Sequence, residues 1–280
     1  MGACLAHAGE RVTMVVRDSA MAAYPDRLHL ESTFGTFDEP VEHTMQAPSG
    51  DVLWVTVKAT QLKHALLSVP PNSFYRGVVP LLNGTDHVAE LRSRFGGDVV
   101  IPATIAVESE RVAPGRISQP SPFCRLSVAG QGRSLLEGTL DHLQKIGFIC
   151  RFVDNEATLL WQKLVFLAPI ALSTTAAGAA IGDVIQNVER RKLLEDSIQE
   201  ACTVATAEGA KVDAKLTFDT MQSLPGFMRS SMQKDVERGN PPELQAIAGP
   251  ILKAGARHHI PTPATQTLVS TIERKIKKFV

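Results

Sequence analysis

Three short β-branched runs, each closed by a polar residue, constrain this chain more than any other feature. Val12-Thr13-Met14-Val15-Val16 ends in Arg17-Asp18, Val52-Leu53-Trp54-Val55-Thr56-Val57 ends in Lys58, and Gly77-Val78-Val79-Pro80-Leu81-Leu82 ends in Asn83-Gly84. Apolar runs of this kind belong to parallel strands buried on both faces. Amphipathic patterns at 61–67 and 86–95 follow the second and third runs. Strand, turn and helix in repetition predict a doubly wound α/β sheet. Residues 2–9, ahead of the first run, read as the back end of a helix closed by Gly9 at its C-cap.

From 99 to 128 the pattern is extended and turn-rich, punctuated by Pro114-Gly115 and Gln119-Pro120-Ser121-Pro122, and a helix is predicted over 132–146. Beyond Asp154 helical periodicity takes over, at 156–172, 183–210, 215–223, 243–256 and 263–278. The expected fold class is therefore α/β, a Rossmann-type doubly wound parallel sheet over 1–153, followed by an all-helical C-terminal domain over 154–280. A chain of 280 residues with 44% hydrophobic content can bury cores for both. Twenty-nine basic residues balance twenty-nine acidic ones, so no net field draws nucleic acid or an anionic membrane. The four cysteines form no CxxC pair and sit among apolar residues, which suits a reducing, cytoplasmic setting. The longest apolar stretch, 164–182, is interrupted by Pro169, Ser173, Thr174 and Thr175, and the N-terminus lacks the pattern of an export signal. The basic end at 274–278 reads as cations at a helix C-terminus.

Ligands of a doubly wound sheet collect beyond the carboxyl ends of the strands, where Arg17, Lys58 and Asn83 fall. A cation in the place of Arg17 suits the 2′-phosphate of NADP, whereas NAD-binding folds place an acid there. Lys163 lies in a predicted helix between Gln162 and Leu164. Its plain reading is a stem covering apolar surface; its chemical reading is an ammonium that stabilises and protonates the oxygen of a carbonyl receiving hydride. Glu243 follows Pro241-Pro242 and so falls in the first turn of a helix, where a carboxylate caps unpaired N–H groups. Alternatively it accepts a hydrogen bond from substrate or cofactor and helps keep Lys163 charged. Ser231 is either an N-cap or a small donor to a ligand. His258-His259 are adjacent, face apart on a helix and lack a third ligand, so no metal site is expected. Neither a GxSxG elbow nor an HExxH pair occurs.

With these residues collected, the chain resembles the ketopantoate reductase (2-dehydropantoate 2-reductase) family over almost its full length. The resemblance rests on the strand ending in Arg17, on Val57-Lys58-Ala59-Thr60-Gln61, Leu82-Asn83-Gly84 and Leu160-Trp161-Gln162-Lys163-Leu164, and on Ser230-Ser231-Met232 with Asp235 and Glu243. The stretch from Gly249-Pro250-Ile251 to Ile260-Pro261-Thr262-Pro263 also fits. It implies a Rossmann domain joined to a helical domain and NADPH-dependent reduction of a 2-oxo acid, 2-dehydropantoate or a relative, to the 2-hydroxy acid, a reaction of pantothenate biosynthesis type. By the same resemblance Lys163 is the general acid, Glu243 lies near cofactor and substrate, and Ser231 contacts substrate. Asn83 lies near the nicotinamide ribose and substrate; Arg17, Lys58 and, through its backbone, Ala106 contact the cofactor. A homodimer is open as the assembly.

Two departures accompany the match. The family's asparagines four and eight residues after the lysine are here Leu167 and Ala171, with Pro169 between them expected to kink the helix. A more apolar 2-oxo acid suits that change. The family's first strand and GxGxxG loop, which seats the pyrophosphate, are also missing from the chain as it stands, and the expectation is that roughly twenty residues precede Met1 in the natural protein. The alternative reading is a catalytically inactive relative acting as a binding or oligomerisation module; a hydroxyacid dehydrogenase of the same two-domain plan ranks below both.

Overall fold

A computed structural model describes residues 1–121 and 123–277; Pro122 and the predicted helix end at Lys278 lie outside the described residues. The first of two units comprises Met1–Val57, Gln61–Leu81 and Leu91–Asp154. It runs through α1 (Gly2–His7), β1 (Thr13–Val15), α2 (Asp18–Met21), β2 (Arg27–Ser32), β3 (Gly35–Pro40), β4 (Glu42–Thr44), β5 (Gly50–Val55), α3 (Leu62–Leu66) and β6 (Tyr75–Pro80). After α4 (Asp86–Phe95) follow β7 (Ala103–Ala106), β8 (Glu110–Ala113), β9 (Arg116–Gln119), β10 (Arg125–Ala129), α5 (Arg133–Lys145) and β11 (Ile149–Val153). The fold is Rossmann-like α/β: β1 pairs parallel with β4, β5 with β6, and β10 with β11.

Burial along the predicted strands follows how many neighbours each has. β6 is bonded to β5, and Val78 bridges to Val100 on its other side; Val78 and Val79 are completely buried. β5 and β1 each pair with a single strand, and no strand bonds the two ribbons together among the described residues. An edge without a partner leaves one flank open. Val52, Leu53 and Trp54 are accordingly only half-buried and Val15 is 39% exposed, so these two runs depart from the expectation of burial on both faces.

Three strands at 27–44 and one at 149–153 were not foreseen. β2 and β3 form an antiparallel hairpin that joins β9 and β8 in a four-stranded sheet, ordered β3-β2-β9-β8. Their residues are largely polar, and only Leu28, Leu30 and Phe37 are buried, so the apolar alternation is too sparse to stand out. α5 buries Leu136, Leu140 and Leu143, the i, i+4, i+7 spacing of a single apolar stripe.

The second unit comprises Lys58–Thr60, Leu82–Glu90 and Asn155–Val280. Its helices are α6 (Glu156–Ala177), α7 (Ile181–Gln186), α8 (Val188–Ala207), α9 (Ala214–Gln222), α10 (Ser231–Glu237), α11 (Leu244–Arg257) and α12 (Pro263–Ile276). α6 is its centre. The Asn155 side chain accepts a hydrogen bond from the Thr158 N–H (2.6 Å), and Gly178, in the left-handed conformation at φ +65°, ends the helix. The helix runs through Pro169, which carries no N–H, and extends five residues beyond the predicted end at Leu172. By length and composition it is apolar enough to cross a bilayer, yet 72% of its most apolar window is buried inside the protein. Leu164, Ala168 and Leu172 pack in one core with Leu194, Ile198, Ile247, Ile251, Leu268 and Ile272. Each buried leucine or isoleucine contributes about 1.5–3 kcal/mol. The single helix expected over 183–210 is two: Asn187 adopts extended backbone and its side chain accepts from the Arg190 N–H (3.0 Å), restarting the helix as α8.

Candidate functional site

Four of the singled-out residues, Lys58, Asn83, Lys163 and Glu243, belong to the second unit, and Glu243 ties two of their segments together. Its carboxylate is buried at 7% exposure; Oε1 accepts from the Ala59 backbone N–H (2.8 Å) and Oε2 from Asn83 Nδ2 (3.0 Å). Glu243 occupies the N-cap position of α11, but its side chain makes no capping bond, so the capping role expected of it is not realised. A carboxylate spent on two donors from separate segments fixes those segments to the helix. Lys58 adds a second tie, its ammonium lying 2.7 and 2.8 Å from the two oxygens of Asp235 on α10. A third is the ion pair of Asp86 with Lys253 of α11, at 2.6 Å.

The Asn83-Gly84 turn is held to α11 so closely that no side chain fits. Gly84 has φ +81°, and a Cβ there would sit 2.1 Å from the carbonyl oxygen of Ala246. Only glycine meets both conditions.

Lys163, on α6, is half-buried, makes no hydrogen bond through its ammonium among the described residues, and interacts electrostatically with Glu243. Desolvation pushes its pKa down to about 8, while the nearby Glu243 carboxylate opposes the fall. Such an amine is mostly protonated at neutral pH and gives its proton up more readily than a lysine in water. His87, in the first turn of α4, completes the group and was missed in the sequence. It is 5% exposed; burial, and secondarily the Lys163 charge, push its pKa down to about 4 although Asp86 opposes, so it is neutral at pH 7. One signal was available: a histidine in the first turn of a helix faces the positive end of the dipole, which disfavours its cation.

The remaining positions fall elsewhere. Ser231 is exposed as the first residue of α10, and the N-cap role open to it belongs to Ser230, whose Oγ accepts from the Gln233 N–H (3.1 Å) and lies 2.9 Å from Thr174 Oγ1. Arg17 and Ala106 belong to the first unit. Arg17 follows β1 at the N-cap of α2, exposed and without an ion pair among the described residues; Ala106 is exposed at the end of β7. Leu167 is half-buried against the helical core and Ala171 is fully inside it. At the end of α11, Arg257 pairs with Glu208 and His258 Nε2 contacts the same carboxylate.

Comparison with known proteins adds independent findings. The family model for ketopantoate reductase PanE/ApbA matches residues 1–123, and that for its C-terminal part matches residues 156–275. An uncharacterized oxidoreductase of Bacillus subtilis (strain 168) is 25% identical, over 98% of this chain and 93% of its own length. A PanE/ApbA family ketopantoate reductase from Ralstonia eutropha JMP134 superposes with a TM-score of 0.84 at 23% identity, covering 99% of this chain and 94% of the other. D-mandelate dehydrogenase, solved with NADH and anilino(oxo)acetate, superposes with a TM-score of 0.85 at 17% identity and the same coverage.

Proposed function

The chain belongs to the ketopantoate reductase family of oxidoreductases, and from that premise we propose that it reduces a 2-oxo acid to the 2-hydroxy acid with NADPH. The observation that carries the reading is a half-buried Lys163 without a hydrogen bond among the described residues, lying in the field of a Glu243 carboxylate already committed to Ala59 and Asn83. When bound, NADPH supplies hydride to the carbonyl carbon of the substrate. Lys163 donates its proton to the carbonyl oxygen as negative charge builds there, and the neutral amine is reprotonated from solvent, so charge and protons balance. Glu243 does not transfer the proton. With both oxygens engaged as acceptors it stays a fixed negative charge, favouring the ammonium before the transfer. Asn83, anchored through Nδ2, keeps its side-chain carbonyl for a donor on the ligand.

The cofactor is chosen in the first unit, where Arg17 stands exposed and makes no ion pair among the described residues, a cation available to the 2′-phosphate although Asp18 follows it in the chain. Leu167, in the place of a family asparagine, favours a substrate with an apolar substituent; the bound anilino(oxo)acetate of D-mandelate dehydrogenase belongs to that chemical class. The test is a panel of 2-oxo acids, from 2-dehydropantoate to aryl and branched-alkyl 2-oxo acids, assayed with NADPH and with NADH. Oxidation of NADPH by an apolar member supports the reading, and no turnover with any pair contradicts it. Replacing Arg17 by Ala is expected to raise KM for NADPH about tenfold, the loss of one charge-assisted phosphate contact, and to leave KM for NADH unchanged.

A further inference from the structure

His87 presents a hydrogen-bonding deficit that the proposed mechanism does not use. Both ring nitrogens, Nδ1 and Nε2, are sealed from solvent and have no hydrogen-bond partner among the described residues. Leaving a buried donor and acceptor both unpaired is costly, and such groups in native proteins are ordinarily satisfied when the site is in its working state. The histidine sits in the Leu82–Glu90 segment that Asn83, Gly84 and Asp86 pin to α11. The ring therefore has a fixed station. The charges that act on the ring are those of Lys163 and Asp86, and Asp86 is taken by Lys253. Lys163 carries three N–H donors and no acceptor, and none of those donors has a partner among the described residues.

The two deficits are complementary. A neutral imidazole has one nitrogen lone pair and one N–H, and an ammonium can pair only with the lone pair. We infer that His87 is a positioning residue for Lys163: its unprotonated ring nitrogen accepts a hydrogen bond from the Lys163 ammonium and aims the remaining protons at the substrate carbonyl. Two features suit histidine to this post. It stays uncharged beside the lysine, and its ring has few rotamers to lose. Glu243 supplies charge to Lys163, and His87 supplies direction.

This inference rests on the proposed reaction, and its test is chosen to separate the two. In the intact protein, Lys163 would be titrated directly by NMR of ε-13C-labelled lysine, its signal identified by absence in Lys163→Met, alongside kcat and KM for the preferred 2-oxo acid. In His87→Leu the Lys163 titration midpoint should fall below its wild-type position, because an acceptor for the charged form is lost. Turnover should drop about tenfold with KM nearly unchanged, the worth of one hydrogen bond to a charged group. His87→Gln, which offers a side-chain oxygen as acceptor, should recover both. A wild-type midpoint and wild-type kcat in His87→Leu would overturn the inference, as would a His87→Gln variant no better than His87→Leu. If the midpoint moves as expected but no 2-oxo acid is reduced, the positioning role stands and the reductase reading falls.

Discussion

Replacing Lys163 by Ala is expected to lower kcat for 2-oxo acid reduction by about 10²–10⁴, the usual contribution of a positioned general acid. Binding of NADPH, read by fluorescence quenching, should change little. The fold should survive. Glu243 keeps its bonds to Ala59 and Asn83, and the ammonium removed is one whose burial depresses its own protonation. Lys163→Arg should not rescue turnover, because a guanidinium holds its protons far too tightly to release one at neutral pH. Turnover within threefold of wild type in the alanine variant would remove Lys163 from the chemistry.

Gly84→Ala is the second large effect, and it acts through architecture. The new Cβ would meet the Ala246 carbonyl oxygen at 2.1 Å, a backbone atom inside α11 that cannot swing aside, and φ +81° is strained for alanine. Together these are expected to cost about 2–5 kcal/mol of stability. Gly96→Ala is the matched control, since Gly96 has φ +95° with nothing within 4 Å of its Cβ position. It should lose only the conformational part, about 1–2 kcal/mol. Denaturant melts of the two variants thus isolate the close contact. Residual folded Gly84→Ala should also be a poor catalyst, because the turn that must shift carries Asn83. Equal losses in the two variants would show that α11 yields to the turn.

The α/β plan was legible in the sequence because parallel strands leave continuous apolar runs, and the 77–82 run announced β6 in this way. The hairpin of β2 and β3 was not, since two buried leucines among charged neighbours make too weak an alternation to distinguish from a loop. The division of α7 from α8 turned on one residue, Asn187, whose side chain substitutes for a backbone acceptor. Of the candidate site, Lys58, Asn83, Lys163 and Glu243, all four of which the fold places in one unit, were singled out by their sequence contexts. Their partners were not. That Asp235 takes Lys58, and that Glu243 takes Ala59 and Asn83 rather than capping its helix, depends on tertiary contacts across more than 150 positions, which no local pattern encodes. His87 escaped because its significance is a lack of partners, a property that exists only once the chain is folded.

The central claim is that a desolvated Lys163 ammonium is the proton donor, and the pH dependence of kcat/KM for 2-oxo acid reduction tests it most directly. A general acid must carry its proton, so activity should be level through neutral pH. It should then fall about tenfold per pH unit above an apparent pKa of about 8, the value to which burial lowers Lys163. In Glu243→Gln that limb should move to lower pH, because the carboxylate that raises the lysine is gone. A profile that stays level to pH 10, or one whose alkaline limb persists in Lys163→Ala, would contradict the account.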